Sequence, residues 1–270
     1  MNSFFFKMLS AAAILFSPPL LISAPETSLA AATLINKTGS FQGKIQYIDI
    51  NGSKRRAPVN RLSTPQGIAF DSISMKIYWT DSGTNEIIRA NLNGSERESI
   101  VPWAHQPKGI AVYNGKIYWT DLGNHQIHSA NLDGSERQVL VKGLYDPQDI
   151  AIDDVGSKIY WIDSGSHQIY RADLDGSRRQ ILLKWLHNPQ GIAVDSSGRK
   201  IYWTDSGCHQ IRCSNLDGSG CKTLVKWSYQ PRGIAVDSAG GHIYWTDSLT
   251  QQIYRVNLDG SNLRVLKEEL

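Results

Sequence analysis

The chain has 270 residues, 41% hydrophobic and 20% charged, with a formal net charge of +3. These values exclude a disordered polypeptide and a strongly basic nucleic-acid binder, and they suit one all-β domain with a sizeable core. Only three cysteines occur, Cys208, Cys213 and Cys221, so a packed core rather than a disulfide framework must hold the fold.

Residues 1–30 have the layout of a secretory signal peptide. Lys7 precedes an apolar stretch from Met8 to Ala24, and small residues end it at Ser28-Leu29-Ala30-Ala31. Pro18-Pro19 and the short apolar length argue against a membrane anchor, and no later segment is apolar enough to span a bilayer. The expected mature domain is 31–270. Its first strands are expected at Ala32–Ile35, Lys44–Ile50 and Ala57–Leu62, with Lys54-Arg55-Arg56 as a solvated hairpin tip.

From Pro65 onward the chain repeats itself. Tyr-Trp-Thr-Asp begins at Tyr78, Tyr118, Tyr202 and Tyr244, with Tyr160-Trp161-Ile162-Asp163 as a variant copy. Pro-x-Gly-Ile-Ala begins at Pro65, Pro107, Pro189 and Pro231, and Pro147-Gln148-Asp149-Ile150-Ala151 is its deviant. Asn-Leu-Asp-Gly-Ser or a near relative recurs six times, with glycines at 52, 94, 134, 176, 218 and 260. Within one copy, turn signals divide Gly191–Asp195, Lys200–Asp205, Gln210–Leu216 and Thr223–Lys226 into four short strands. Four strands per repeat of about forty residues predict a β-propeller. Adjacent strand residues point to opposite faces, so the Tyr and Trp of each copy should bury against the two neighbouring blades.

On these motifs the chain from about Thr33 resembles the class B repeats of low-density-lipoprotein receptors. The resemblance implies an all-β, six-bladed β-propeller of four-stranded antiparallel blades, whose first blade is degenerate here and readable as three-stranded. It also implies protein ligands on one face. The cysteine-rich modules that flank such propellers in receptors are lacking, so an endocytic role does not carry over.

That face should carry two sets of loops, because loops on a rigid ring carry function. The inter-blade loops repeat aromatics just before the proline: Trp103 and His105, Tyr145, Trp185 and His187, Trp227 and Tyr229. Lys108 and Arg232 follow it, at places held elsewhere by Gln66, Gln148 and Gln190. Aromatics with interspersed cations have the composition of a recognition surface; the competing reading is that the Trp rings tuck between blades as core caps. The other loop set repeats His125, His167 and His209. Their 42-residue spacing puts them on successive blades, too far apart to share one zinc. No metal or cofactor is expected. Cys213 and Cys221, on two arms of one hairpin, are a candidate disulfide.

The sequence therefore predicts an exported, monomeric, non-enzymatic module, secreted or periplasmic, that binds a protein or peptide and neither nucleic acid nor membrane. The alternative is a hydrolase or lactonase around a central metal, which would require carboxylates or amides from several blades converging at the channel mouth. Only Asp146 and Asp149 break the repeat with acids there.

Overall fold

The computed structural model describes residues 55–266 without a break, together with the strands at 23–24, 27–35 and 43–49. The first blade comprises β5 (Pro65–Asp71), β6 (Lys76–Asp81), β7 (Glu86–Asn91) and β8 (Glu98–Pro102), preceded by β1 (Ser23–Ala24), β2 (Thr27–Ile35), β3 (Gly43–Asp49) and β4 (Arg55–Leu62). The second holds β9 (Pro107–Tyr113), β10 (Lys116–Asp121), β11 (Gln126–Asn131) and β12 (Gln138–Val141). The third holds β13 (Pro147–Asp153), β14 (Lys158–Asp163), β15 (Gln168–Asp173) and β16 (Gln180–Leu183). The fourth is β17 (Pro189–Asp195), β18 (Lys200–Asp205), β19 (Gln210–Asn215) and β20 (Lys222–Lys226). The fifth is β21 (Pro231–Asp237), β22 (His242–Asp247), β23 (Gln252–Asn257) and β24 (Arg264–Leu266). Each blade is an antiparallel meander in chain order.

The propeller thus has five blades of four strands, and the expectation of six is corrected. The physical reason lies before Pro65, where neither Pro-x-Gly-Ile-Ala nor Tyr-Trp-Thr-Asp occurs. That segment lacks the two motifs that supply the inner strand and aromatic pair of each blade. Its strands pair as a separate sheet in the order β1-β2-β3-β4. The three-stranded reading is corrected with it, because Ser23–Ala24 folds back on Thr27 and Ser28 to add a fourth strand. Most of the segment expected as signal peptide, 1–30, lies outside the described residues.

The core is divided among the blade interfaces. Tyr78 of one blade shares a cluster with Trp119 of the next, and Tyr118 with Trp161, Tyr160 with Trp203, and Tyr202 with Trp245 follow the same rule. These four Trp side chains and Trp79 are all buried. Placing Tyr and Trp on opposite faces thus joins each of the second, third and fourth blades to both neighbours, at roughly 1.5–3 kcal/mol for each large side chain buried. Trp79 has no preceding blade. Ile45, Val59 and Leu62 of the N-terminal sheet cover it instead.

Hydrogen bonds staple the inner strands. Thr80 Oγ1 accepts from Gly67 N at 2.8 Å and donates to Lys108 O of the next blade at 2.5 Å. Thr120 does the same between Gly109 N and Gln148 O, and Thr204 between Gly191 N and Arg232 O. Glycine is required because the strands nearly touch: a Cβ on Gly67 would lie 2.5 Å from Lys108 O, and one on Gly191 would lie 2.5 Å from Arg232 O. Thr246 of the fifth blade finds no hydrogen-bond partner among the described residues.

The third blade breaks this rule twice, and the two breaks compensate. Ile162 replaces the stapling threonine and Asp149 replaces the glycine. The buried Asp149 carboxylate reaches the fourth blade directly, Oδ2 accepting from Ile192 N at 2.9 Å while Oδ1 accepts from Ile150 N at 2.8 Å. Burial outweighs these two donors and pushes the carboxyl up to about 7.

Asp149→Gly alone should destabilise the chain by about 1–3 kcal/mol, because Ile192 loses its acceptor. Adding Ile162→Thr should recover most of that loss; strictly additive effects in urea melts would refute the compensation. The pH dependence has a definite sign. A carboxyl whose folded pKa exceeds its unfolded value of about 3.9 contributes its full stability below pH 4 and loses it as pH rises through 7. Wild type should therefore weaken relative to Asp149→Asn between about pH 4 and pH 7, by a few kcal/mol at most. A flat difference across that range would show that the carboxyl is not shifted.

Candidate functional site

The rim of the propeller is organised by the last residue of each Tyr-Trp-Thr-Asp strand. This aspartate is buried in all five blades. In the third blade Asp163 Oδ2 accepts from Tyr145 N at 3.0 Å and Oδ1 from Asp146 N at 2.8 Å, both in the loop entering that blade. The same carboxylate type receives the turn between the second and third strands, as in Asn124 N to Asp121 Oδ1 at 3.0 Å. Ionised carboxylates accept backbone N–H groups strongly, so one side chain joins both loop sets. A second link is backbone to backbone: Ala104 N donates to Asn85 O, Leu144 N to His125 O, Leu186 N to His167 O and Ser228 N to His209 O.

This clamp fixes an alternation in each inter-blade loop. Ala104, Leu144, Leu186 and Ser228 point inward and are buried, which throws their neighbours outward. Trp103, Trp185 and Trp227 are 79%, 85% and 86% exposed, and Tyr145 and Tyr229 are also exposed. His105 and His187 are exposed too. The tryptophans therefore do not cap the core. Their backbone is also unusual. Trp103, Trp185 and Trp227 have φ of 69, 62 and 69°, in the left-handed region, and Gly143 holds the corresponding place in the remaining loop with φ of 71°. A bulky residue there costs about 1–2 kcal/mol that glycine would not.

His125, His167 and His209 are exposed on the adjoining turns. His125 Nδ1 bonds the Tyr145 carbonyl at 3.0 Å, and His209 Nδ1 bonds the Tyr229 carbonyl likewise. These imidazoles thus brace the neighbouring aromatic loop. His167 joins Trp185 and His187 in lining a shallow groove.

Inside the ring of aromatics lies the channel mouth, a cavity of about 230 Å³ bounded by Gln66, Lys108, Gln148, Gln190 and Arg232. The post-proline side chains pair from blade to blade, Lys108 Nζ donating to Gln66 Oε1 at 3.3 Å and Arg232 Nη1 to Gln190 Oε1 at 2.6 Å. Burial pushes the Lys108 ammonium below its ordinary value, and Arg232 adds to this while Asp146 opposes it. Asp149 and Asp247 also border this cavity, but backbone N–H groups already occupy both oxygens of each. The remaining polar lining of the cavity includes the amides of Gln66, Gln148 and Gln190.

Three features escaped the sequence reading. The strained backbone of the tryptophans had one visible signal, Gly143 in the sister loop. Asp149 stood out as an acid, yet its partner deviation Ile162 was not linked to it. His128, in a strand position where the sister blades carry Ile88, Tyr170, Arg212 or Tyr254, stacks on Trp119 with centroids 5.1 Å apart. Burial, then Arg137, lowers its pKa to about 4, which keeps it neutral.

A ring of four-stranded blades cemented by Tyr–Trp interfaces, with a clamped aromatic rim, defines a tandem-repeat propeller. The low-density lipoprotein receptor repeat class B family matches residues 75–113, 115–153, 157–196 and 199–238, more than half of the chain, and the protein belongs to that family. It is 40% identical over 82 residues to low-density lipoprotein receptor-related protein 5 of Mus musculus, covering 30% of this chain and 4% of that one. Over 39 residues it is 49% identical to Nidogen-2 of Mus musculus, covering 14% and 3% respectively. The chain thus spans a small fraction of these relatives. A solved structure, the crystal structure of a nidogen/laminin complex, superposes with a TM-score of 0.78 at 29% identity, covering 85% of this chain and 90% of that one. Both relatives are named as a receptor-related protein and a nidogen, in line with the non-enzymatic expectation.

The candidate Cys213–Cys221 bridge is not formed. All three cysteines are free. Cys213 pairs across the hairpin with Lys222, so Cys221 falls on the opposite face beside Arg212, whose Nη2 lies 3.3 Å from its sulfur. Cys213 instead packs into the core between the fourth and fifth blades, where burial pushes its thiol up. Thiol titration of the denatured, unreduced protein should count three; a count of one would restore the bridge.

Proposed function

We propose that this protein is an exported binding module that holds a protein or peptide ligand on its aromatic rim. The carrying observation is the set Trp103, Trp185 and Trp227. Each is exposed, and each occupies a left-handed backbone position that Gly143 fills without strain. Strain of this kind persists where another role maintains it, and exposed tryptophans are favoured anchors of protein interfaces. His105, Lys108, Tyr145, His187, Tyr229 and Arg232 complete the surface, with His125, His167 and His209 bracing or bordering it. The structural relative in complex with laminin supports a protein ligand. Export to the periplasm or the outside rests on residues 1–30. Among the described residues no helix is long and apolar enough to cross a membrane.

The test is a Trp103→Gly, Trp185→Gly and Trp227→Gly triple variant. Its melting temperature should be unchanged or slightly raised, because glycine relieves the left-handed strain. Its capture of the partner taken by wild type from the native compartment should fall by at least tenfold, as loss of hot-spot anchors demands. Undiminished capture by a folded triple variant would refute the aromatic rim as the binding face.

A further inference from the structure

We propose that His187, Asp205 and Cys208 form a zinc site on the rim of the fourth blade. One ligand atom from each, a ring nitrogen, a carboxylate oxygen and the sulfur, all lie within 4.8 Å of one another. Zinc bonds of about 2.0–2.3 Å in tetrahedral geometry bring ligands to roughly 3.5 Å apart. Closing the difference falls to the side-chain rotamers of the exposed His187 and the half-buried Cys208. A nitrogen, an anionic oxygen and a thiolate form a borderline-soft donor set that suits zinc, whereas calcium and magnesium require oxygen ligands.

The site follows from the aspartate clamp. His187 N donates to Asp205 Oδ2 at 3.2 Å and Cys208 N to Asp205 Oδ1 at 3.3 Å, so the carboxylate places whichever side chains stand at these two positions beside itself. The other blades serve as internal controls. Their corresponding pairs are Ser63 and Thr84, His105 and Asn124, Tyr145 and Ser166, and Tyr229 and Thr250. Only in the fourth blade are both residues strong metal ligands. Asp205 retains capacity for an ion as well: Oδ1 accepts from Asn188 N and Cys208 N, while Oδ2 accepts from His187 N alone. Those backbone donors hold the carboxylate in place, as outer-shell partners do in metal sites. Gly207 packs against His187, where a Cβ would meet His187 Cβ at 2.8 Å. Asp205 is fully buried, Cys208 half-buried and His187 exposed, so the fourth coordination position faces solvent.

Cobalt is the probe, because a thiolate ligand gives it a near-ultraviolet charge-transfer band. The folded chain, reduced and freed of metal by a chelator, should develop this band saturably at one Co²⁺ per chain, and Zn²⁺ should abolish it. Cys208→Ser should remove the band and weaken Zn²⁺ binding at least tenfold. Serine is tolerated there, since Ser166 fills the same position in the third blade. His187→Ala should weaken Zn²⁺ binding by a similar factor. Cys221→Ser, which alters an exposed thiol elsewhere in the blade, should change neither. The proposal is overturned if wild type shows no saturable band, if Cys208→Ser keeps it, or if Cys221→Ser loses it.

Discussion

The rim depends on one interaction, a buried carboxylate at the end of a strand that accepts backbone N–H groups from two loops at once. An unpaired ion at that depth would be prohibitive, so each aspartate is tolerable only because the loops wrap it. The dependence is mutual. The inter-blade loop has no regular pairing of its own, and it closes on the turn of its blade through Asp81, Asp121, Asp163, Asp205 or Asp247. Loop order is thereby set by the scaffold.

Beneath the rim, the ring is joined by apolar contacts and by threonine staples that run from blade to blade. The third blade shows that the staple is a function rather than a fixed residue. With Ile162 in the threonine position, the carboxylate of Asp149 crosses to Ile192 instead. That interface alone among those described is held by an acid, while its neighbours are held by neutral hydroxyls.

Much of this was legible in the sequence. Strand boundaries from Pro65 onward, the faces taken by Tyr and Trp, and the two loop sets follow from motifs repeated often enough to average out local ambiguity. What was not legible depended on distances. The blade number was overestimated because short apolar runs such as Ala57–Leu62 look like strands whether or not a Tyr-Trp pair accompanies them. The face of Cys221 depended on hairpin register, in which one residue of slippage inverts every side chain. The proximity of His187 to Cys208 could not be read from a separation of 21 residues without the aspartate that joins their loops.

The clamp is made chiefly to main-chain N–H groups, and this has a consequence for how the rim can change. His125 and His209 brace the loops with their rings, but the side chains at the position that enters each blade are held through their backbone N–H, so substitutions at that position should be close to independent of one another and of the core. Five copies of one frame thus present five sets of interchangeable positions. Ser63, His105, Tyr145, His187 and Tyr229 already show how widely one position can vary on an unchanged backbone. A surface built in this way can be rewritten one blade at a time, and a new specificity need not wait for a compensating change in the fold.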